Sequence, residues 1–213
     1  TEVINVAFNK NLKPAPVEGS FVDFSGFDVF KYVKMLSSSN PTTIEWLITD
    51  IVYYGKQNKI FKEFALKNFN KISLYHHYKS MCRNNYLKYL KTSSEVTYKK
   101  YLYTYRGLIN AKWVVHKNSI PPIYFLDAIN GMDNILQSHI TRKLQFIIKE
   151  KSKGNEKNVV KNIPLMDNYI ESFLKDTKES PKEKSHATLH DLNKELRRIL
   201  LRDENSSSNR KGK

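Results

Sequence analysis

Residues 25–54 read SGFDVFKYVKMLSSSNPTTIEWLITDIVYY, and the punctuation of this stretch decides the fold class. Ser25 followed by Asp28 three positions later fits an N-cap whose partner carboxylate reaches back to free backbone N–H groups, so a helix is expected from near Gly26. Phe27, Phe30, Val33 and Met35-Leu36 recur at helical spacing, while Lys31 and Lys34 fall on another face. The Ser37-Ser38-Ser39-Asn40 run ends that helix. Proline has a preset φ and no N–H to lose, so Asn40-Pro41 reads as the cap and first residue of a second helix carrying Ile44, Glu45, Trp46 and Leu47. On the residues alone this is a pair of packed helices.

The same periodicity continues outward. From Ser73 to Lys91, Tyr75, Tyr78, Cys82, Tyr86 and Tyr89 step by three or four residues, with His76, Lys79 and Arg83 as a polar stripe beside them. From about Glu95 to His116, Tyr98, Leu102, Tyr105 and Ile109 mark one face and Lys99, Tyr103, Arg106 and Asn110 another. A tyrosine stripe of this kind reads either as core with its hydroxyls at the rim or as a stacking platform for bases. Pro121-Pro122 opens a segment ending at Gly131; Asp133–Lys149, Ile163–Lys175 and His186–Arg202 are further amphipathic stretches, and 149–162 is a polar linker. The expected fold is mainly α, a multi-helix bundle with at most one or two short N-terminal strands. The expected layout is an N-terminal edge over 1–24, a helical domain over 25–150, additional helices over 151–204 and a disordered basic tail over 205–213.

At 213 residues with 40% hydrophobic content the chain can fill a substantial core. Its single cysteine, Cys82, excludes an internal disulfide and any multi-cysteine zinc site, and fits a cytoplasmic protein. No membrane partner is expected: the most apolar window, Trp46–Tyr54, is too short to span a bilayer and is broken by Asp50, and no basic-then-apolar leader opens the chain. There is no Walker-type phosphate loop, dinucleotide glycine fingerprint or zinc spacing, and His186 and His190 read as surface histidines. The formal net charge is +15. It is concentrated, because residues 56–117 hold 14 Lys or Arg against only Glu63 and Glu95. Such a field favours nucleic acid or a triphosphate as partner; a compositional lysine bias is the alternative.

A Gly-aromatic-Asp, a lysine, a Ser-Asn-Pro, a Glu-Trp-Leu and an Ile-Val-Tyr follow one another between Gly26 and Tyr53. His77-Tyr78, Ser80-Met81 and Arg83-Asn84-Asn85-Tyr86 come next, then Lys100-Tyr101-Leu102-Tyr103 with Arg106 and Trp113, then Pro121-Pro122. In this order they resemble the nucleotidyltransferases of the DNA polymerase beta superfamily that occur with RNA-repair ligases and in phages. The resemblance runs from about Val22 to about Ile129, and residues beyond about Gly131 match nothing familiar.

The resemblance implies transfer of a nucleoside monophosphate from a nucleoside triphosphate to a hydroxyl, with an RNA end as one acceptor, using Mg2+ or Mn2+ held by carboxylates on a small sheet. It implies that the helical part holds the triphosphate. Lys31, His77, Arg83, Lys100, Tyr101 and Arg106 are the nucleotide-binding candidates, the arginines as planar forks and Lys100 as a point charge. Arg106 reads equally as an ion-pair partner of Asp28 or Glu45, and His77 as the cap of a buried polar network. Val22-Asp23-Phe24 matches the hydrophobic-acid-hydrophobic strand that bears the third carboxylate, which makes Asp23 the catalytic and metal candidate; a turn aspartate is the alternative. The paired carboxylates that should precede it are absent from these residues: no Asp or Glu is followed two positions later by another. This chain alone is therefore expected to be catalytically incomplete, with the pair encoded upstream or supplied by a protein partner. A non-catalytic basic module that binds nucleic acid or protein is the competing expectation.

Overall fold

The computed structural model describes residues 11–12, 26–52, 58–93, 95–155, 158–177, 180–181, 190, 192–194, 196–198 and 200. Most of the expected 1–24 edge, including Asp23, together with Ser25, His186 and the 205–213 tail, lies outside them. The chain forms two compact units, Thr1–Phe69 with His186–Lys213, and Asn70–Ser185. Both are built mainly of helices, as the periodicity predicts.

In the first unit, β1 (Asn11–Leu12) pairs antiparallel with β2 (Gly26–Phe27), and α1 (Val29–Ser37) follows at once. The helix starts later than Ser25 suggested. Gly26 and Phe27 are spent on the strand pair, so Asp28 is itself the cap, its Oδ1 accepting from Lys31 N–H at 2.9 Å. Asn40 caps α2 (Pro41–Ile48) by accepting from Thr42 N–H at 3.0 Å, with Pro41 in the first turn as expected. Between them Ser39 takes a positive φ of 55° and donates its N–H to the Leu36 carbonyl at 3.0 Å. A helix that the patterning did not reveal, α3 (Lys59–Asn68), is capped by Asn58 and buries Phe61, Phe64 and Ala65. Its lysines and exposed Ile60 and Leu66 blur the apolar stripe. Tyr32 ties the helices together, its ring 6.4 Å from Trp46 and 5.9 Å from Phe61. The C-terminal stretch adds helical residues 190, 192–194, 196–198 and 200, with Leu192 buried.

The second unit is organised by α4 (Lys71–Asn85) and α5 (Tyr98–Lys117). α4 runs on into a π-helical turn, Tyr86–Leu90, and α5 folds back along it. Gly107 permits the close approach: a Cβ there would lie 2.7 Å from Cys82 N and 2.8 Å from the Tyr78 carbonyl. Tyr75, Tyr78, Cys82, Tyr86, Leu102, Tyr105 and Ile109 of the predicted stripes are buried, while Tyr89 and Tyr98 at their ends are half-buried, so most of the tyrosine stripe is core; Tyr101, outside the predicted stripe, is buried too. Asn118 ends α5 in the left-handed region at φ 53°.

Two predicted boundaries move. The helix expected from Glu95 begins at Tyr98, because Glu95–Thr97 form β3 and pair antiparallel with β4 (Val159–Lys161), inside what reads as a polar linker. Strand structure therefore extends beyond the N-terminal edge. Met132–Leu136 form turns, so α7 starts at Ser138 and runs to Ser152. α6 (Phe125–Asn130) stops at Gly131, which keeps an ordinary helical φ of −67°. The glycine is needed there for room, since its Cβ would meet the Trp113 ring at 2.4 Å. α8 (Pro164–Lys175) opens on a proline and buries Met166, Ile170 and Phe173.

Candidate nucleotide-binding face

The α4–α5 pair has two flanks, and α8 covers one of them. Tyr86 donates its hydroxyl to Glu171 Oε1 at 2.8 Å, Tyr101 to Asp167 Oδ1 at 2.9 Å and Tyr105 to the Met166 carbonyl at 3.0 Å. The Tyr101 oxygen also accepts the Ile163 N–H at 2.8 Å. On the same side Lys79 donates to the Asp176 carbonyl and to the Tyr75 hydroxyl, and lies 5.3 Å from the centre of the Phe173 ring. Burial of these tyrosines raises their hydroxyl pKa values well above the ordinary range, so all three remain neutral donors. Burial also raises the Asp167 carboxyl, against the pull of the Tyr101 hydrogen bond and with Glu171 raising it further.

The opposite flank carries the polar side chains that the tyrosine contacts leave over. With 3.6 residues per turn, His77 and Met81 on α4 and Arg106 and Asn110 on α5 fall on the side of their helices away from Lys79 and Tyr101. The Gly107 contact with Tyr78–Cys82 brings these two sets to similar heights. His77 is exposed and Arg106 half-buried. Asn110 is only 2% exposed, and its carbonyl oxygen has no hydrogen-bond partner. A buried amide of this kind costs stability unless a donor reaches it. Tyr103, half exposed, and Lys99, 5.9 Å from its ring centre, extend the flank toward the start of α5. A cationic fork and an imidazole together can hold phosphate.

The sequence-predicted residues thus divide. His77 and Arg106 come together on this flank. Arg83 lies one helical turn beyond Lys79 and shares the α8 side. Lys100 sits over the Tyr89 ring at 5.2 Å, and Tyr101 is fully buried with its hydroxyl used as both donor and acceptor. Lys31 belongs to the first unit, 5.1 Å from the Phe27 ring centre. Asp23 lies outside the described residues. Among those residues no group of three or more His, Cys, Asp or Glu side chains is placed to hold a metal ion, and no helix is long and apolar enough to cross a membrane. Sequence reading missed the burial of Asn110 and the tyrosine–carboxylate pairs Tyr86–Glu171 and Tyr101–Asp167. The pairs span 85 and 66 residues, beyond the reach of local pattern; the only hint was that α8 carries its acids four apart.

The fold and the charge together define a basic, mainly helical protein. The chain belongs to the family described as the RNA repair pathway DNA polymerase beta family, RlaP, which matches it over residues 10–198. The match extends well past Ile129, where the recognisable resemblance stops, and takes in α7, α8 and much of the C-terminal stretch. A curated relative, the uncharacterized protein YcgL of Bacillus subtilis (strain 168), is 29% identical over 182 residues, covering 84% of this chain and 68% of the relative. No solved structure matches the chain.

Proposed function

We propose that this chain takes part in transferring a nucleoside monophosphate from a nucleoside triphosphate to a hydroxyl acceptor, with an RNA end as acceptor, and that the α4–α5 flank bearing His77, Arg106 and Asn110 holds the nucleotide. The family match over residues 10–198 is the observation that carries this reading. The charge distribution supports it, with 14 cationic residues against two acidic ones over residues 56–117. Arg106 supplies a two-pronged phosphate contact and His77 a second donor. Mg2+ or Mn2+ would be held by carboxylates outside the described residues, Asp23 among them, and would activate the hydroxyl and stabilise the departing pyrophosphate.

Equilibrium binding of a fluorescent nucleoside triphosphate tests the reading. Arg106→Ala is expected to weaken binding about tenfold, the loss of roughly 1.4 kcal/mol that one charge-assisted contact contributes. Arg83→Ala, on the α8 side, is expected to have a smaller effect. Equal losses at both positions would assign the effect to overall charge, and no binding by the wild-type chain would contradict the proposal.

A further inference from the structure

A second cationic cluster lies within the first unit, on residues that the family resemblance did not single out. One face of α3 presents Ile60, Glu63, Phe64 and Lys67, at the i, i+3, i+4 and i+7 spacing of a single helical stripe. Lys194 and Arg198, four apart on the C-terminal helical stretch, line with it an open cleft of about 390 Å³. That volume lies within the range of small-ligand sites. Phe64 is buried to 7% and Ile60 is 44% exposed, which gives the cavity an apolar floor. Three cations and one carboxylate form its rim. Lys67 and Glu63 approach to 3.8 Å, but both side chains are largely exposed, so their attraction is weak and easily exchanged for a phosphate.

We infer that this cleft binds one phosphorylated nucleotide of a single-stranded RNA, with Lys67, Lys194 and Arg198 on the phosphate and the Ile60–Phe64 floor under the base. Net positive charge around an apolar floor matches a nucleotide better than an acidic peptide, whose carboxylates lack a flat apolar face. Such a site would anchor the acceptor strand rather than the triphosphate. The inference rests on the reading that RNA is the acceptor, and its test does not depend on nucleotide transfer.

The test is fluorescence anisotropy of a labelled single-stranded 12-mer RNA with the full chain, in two series of salt. The variant Lys67→Ala/Lys194→Ala/Arg198→Ala is expected to bind at least about tenfold more weakly than wild type near 0.1 M salt. Its log–log salt slope should be smaller by about 0.7, the loss expected when one phosphate of a single strand is no longer neutralised. A control lacking three cations elsewhere, Lys117→Ala/Lys143→Ala/Lys149→Ala, should lose less than about threefold. Ile60→Ser keeps the charge and alters only the floor at a partly exposed position; it should also weaken binding while melting within a few degrees of wild type. The inference is overturned if the cleft variant binds like wild type, if the control loses as much, or if an acidic peptide of equal charge displaces the RNA equally well. RNA binding by wild type that neither cleft variant changes would sink this site alone. No RNA binding by wild type would remove the acceptor reading with it.

Discussion

Gly107 lies where the α4 and α5 backbones touch, and two effects of opposite sign meet there. Glycine inside a helix ordinarily costs about 1 kcal/mol relative to alanine, so Gly107→Ala on an open surface would stabilise. Here the new methyl would press on Cys82 N and the Tyr78 carbonyl, backbone atoms that cannot swing aside. Overpacking of this kind costs roughly 1–3 kcal/mol or more and should win. Gly107→Ala is expected to lower the thermal midpoint by several degrees; an unchanged or higher midpoint would show that the helices separate freely. Asp167 offers a pH-dependent case. Its folded-state pKa is raised, chiefly by burial, so the folded chain holds this proton more tightly than the unfolded one. The ionised carboxylate therefore detracts from stability at neutral pH, and the deficit disappears as the pH falls below the ordinary aspartate value of about 4. Asp167→Asn keeps an oxygen for the Tyr101 hydroxyl and should melt at or above the wild-type midpoint at pH 7, with the difference shrinking toward pH 4. A difference that grows in acid would contradict this. Glu171 works in the other direction, since the Tyr86 hydroxyl and then Lys175 hold its pKa down and its contribution is lost as the pH falls.

At the scale of elements, the hairpin of α4 and α5 is a tyrosine core with Cys82 at its centre. The thiol is fully buried and its pKa is pushed up to about 12, mainly by burial, with Lys79 pulling weakly the other way. A disulfide reagent should leave native Cys82 unlabelled over minutes and label it completely in denaturant; rapid native labelling would mean that the two helices open readily. Much at this scale was legible in the sequence. The Asn40-Pro41 cap, the tyrosine stripe and Gly131 as a stop all act through short-range sterics and hydrogen bonds that residue type reports directly. What escaped was decided at longer range. β3 exists because Glu95–Thr97 meet Val159–Lys161, 62 or more residues away in sequence, and no local pattern shows that pairing. Asp28 replaced Ser25 as cap because Gly26–Phe27 were drawn into a strand by Asn11–Leu12. The candidate face was half legible: His77 and Arg106 could be named as residues, but the buried, unpaired Asn110 between them emerges only from packing.

At the scale of the whole molecule, a mainly helical, strongly basic chain belongs to a family of RNA repair while carrying no Asp or Glu two positions before another. On the proposed reading, two-metal transfer needs such a pair, so the 213-residue chain is expected to transfer no label from a radioactive triphosphate to RNA with Mg2+ or Mn2+. Robust transfer would show that its other carboxylates suffice. Binding is the more direct question, because the account places the nucleotide on a particular surface. Photoaffinity labelling with an azido-nucleoside triphosphate, followed by mass spectrometry of the labelled peptides, puts it to the test. The account predicts adducts within residues 71–117, suppressed by unlabelled triphosphate and reduced by Arg106→Ala; adducts confined to other segments, or no competed labelling at all, would contradict it.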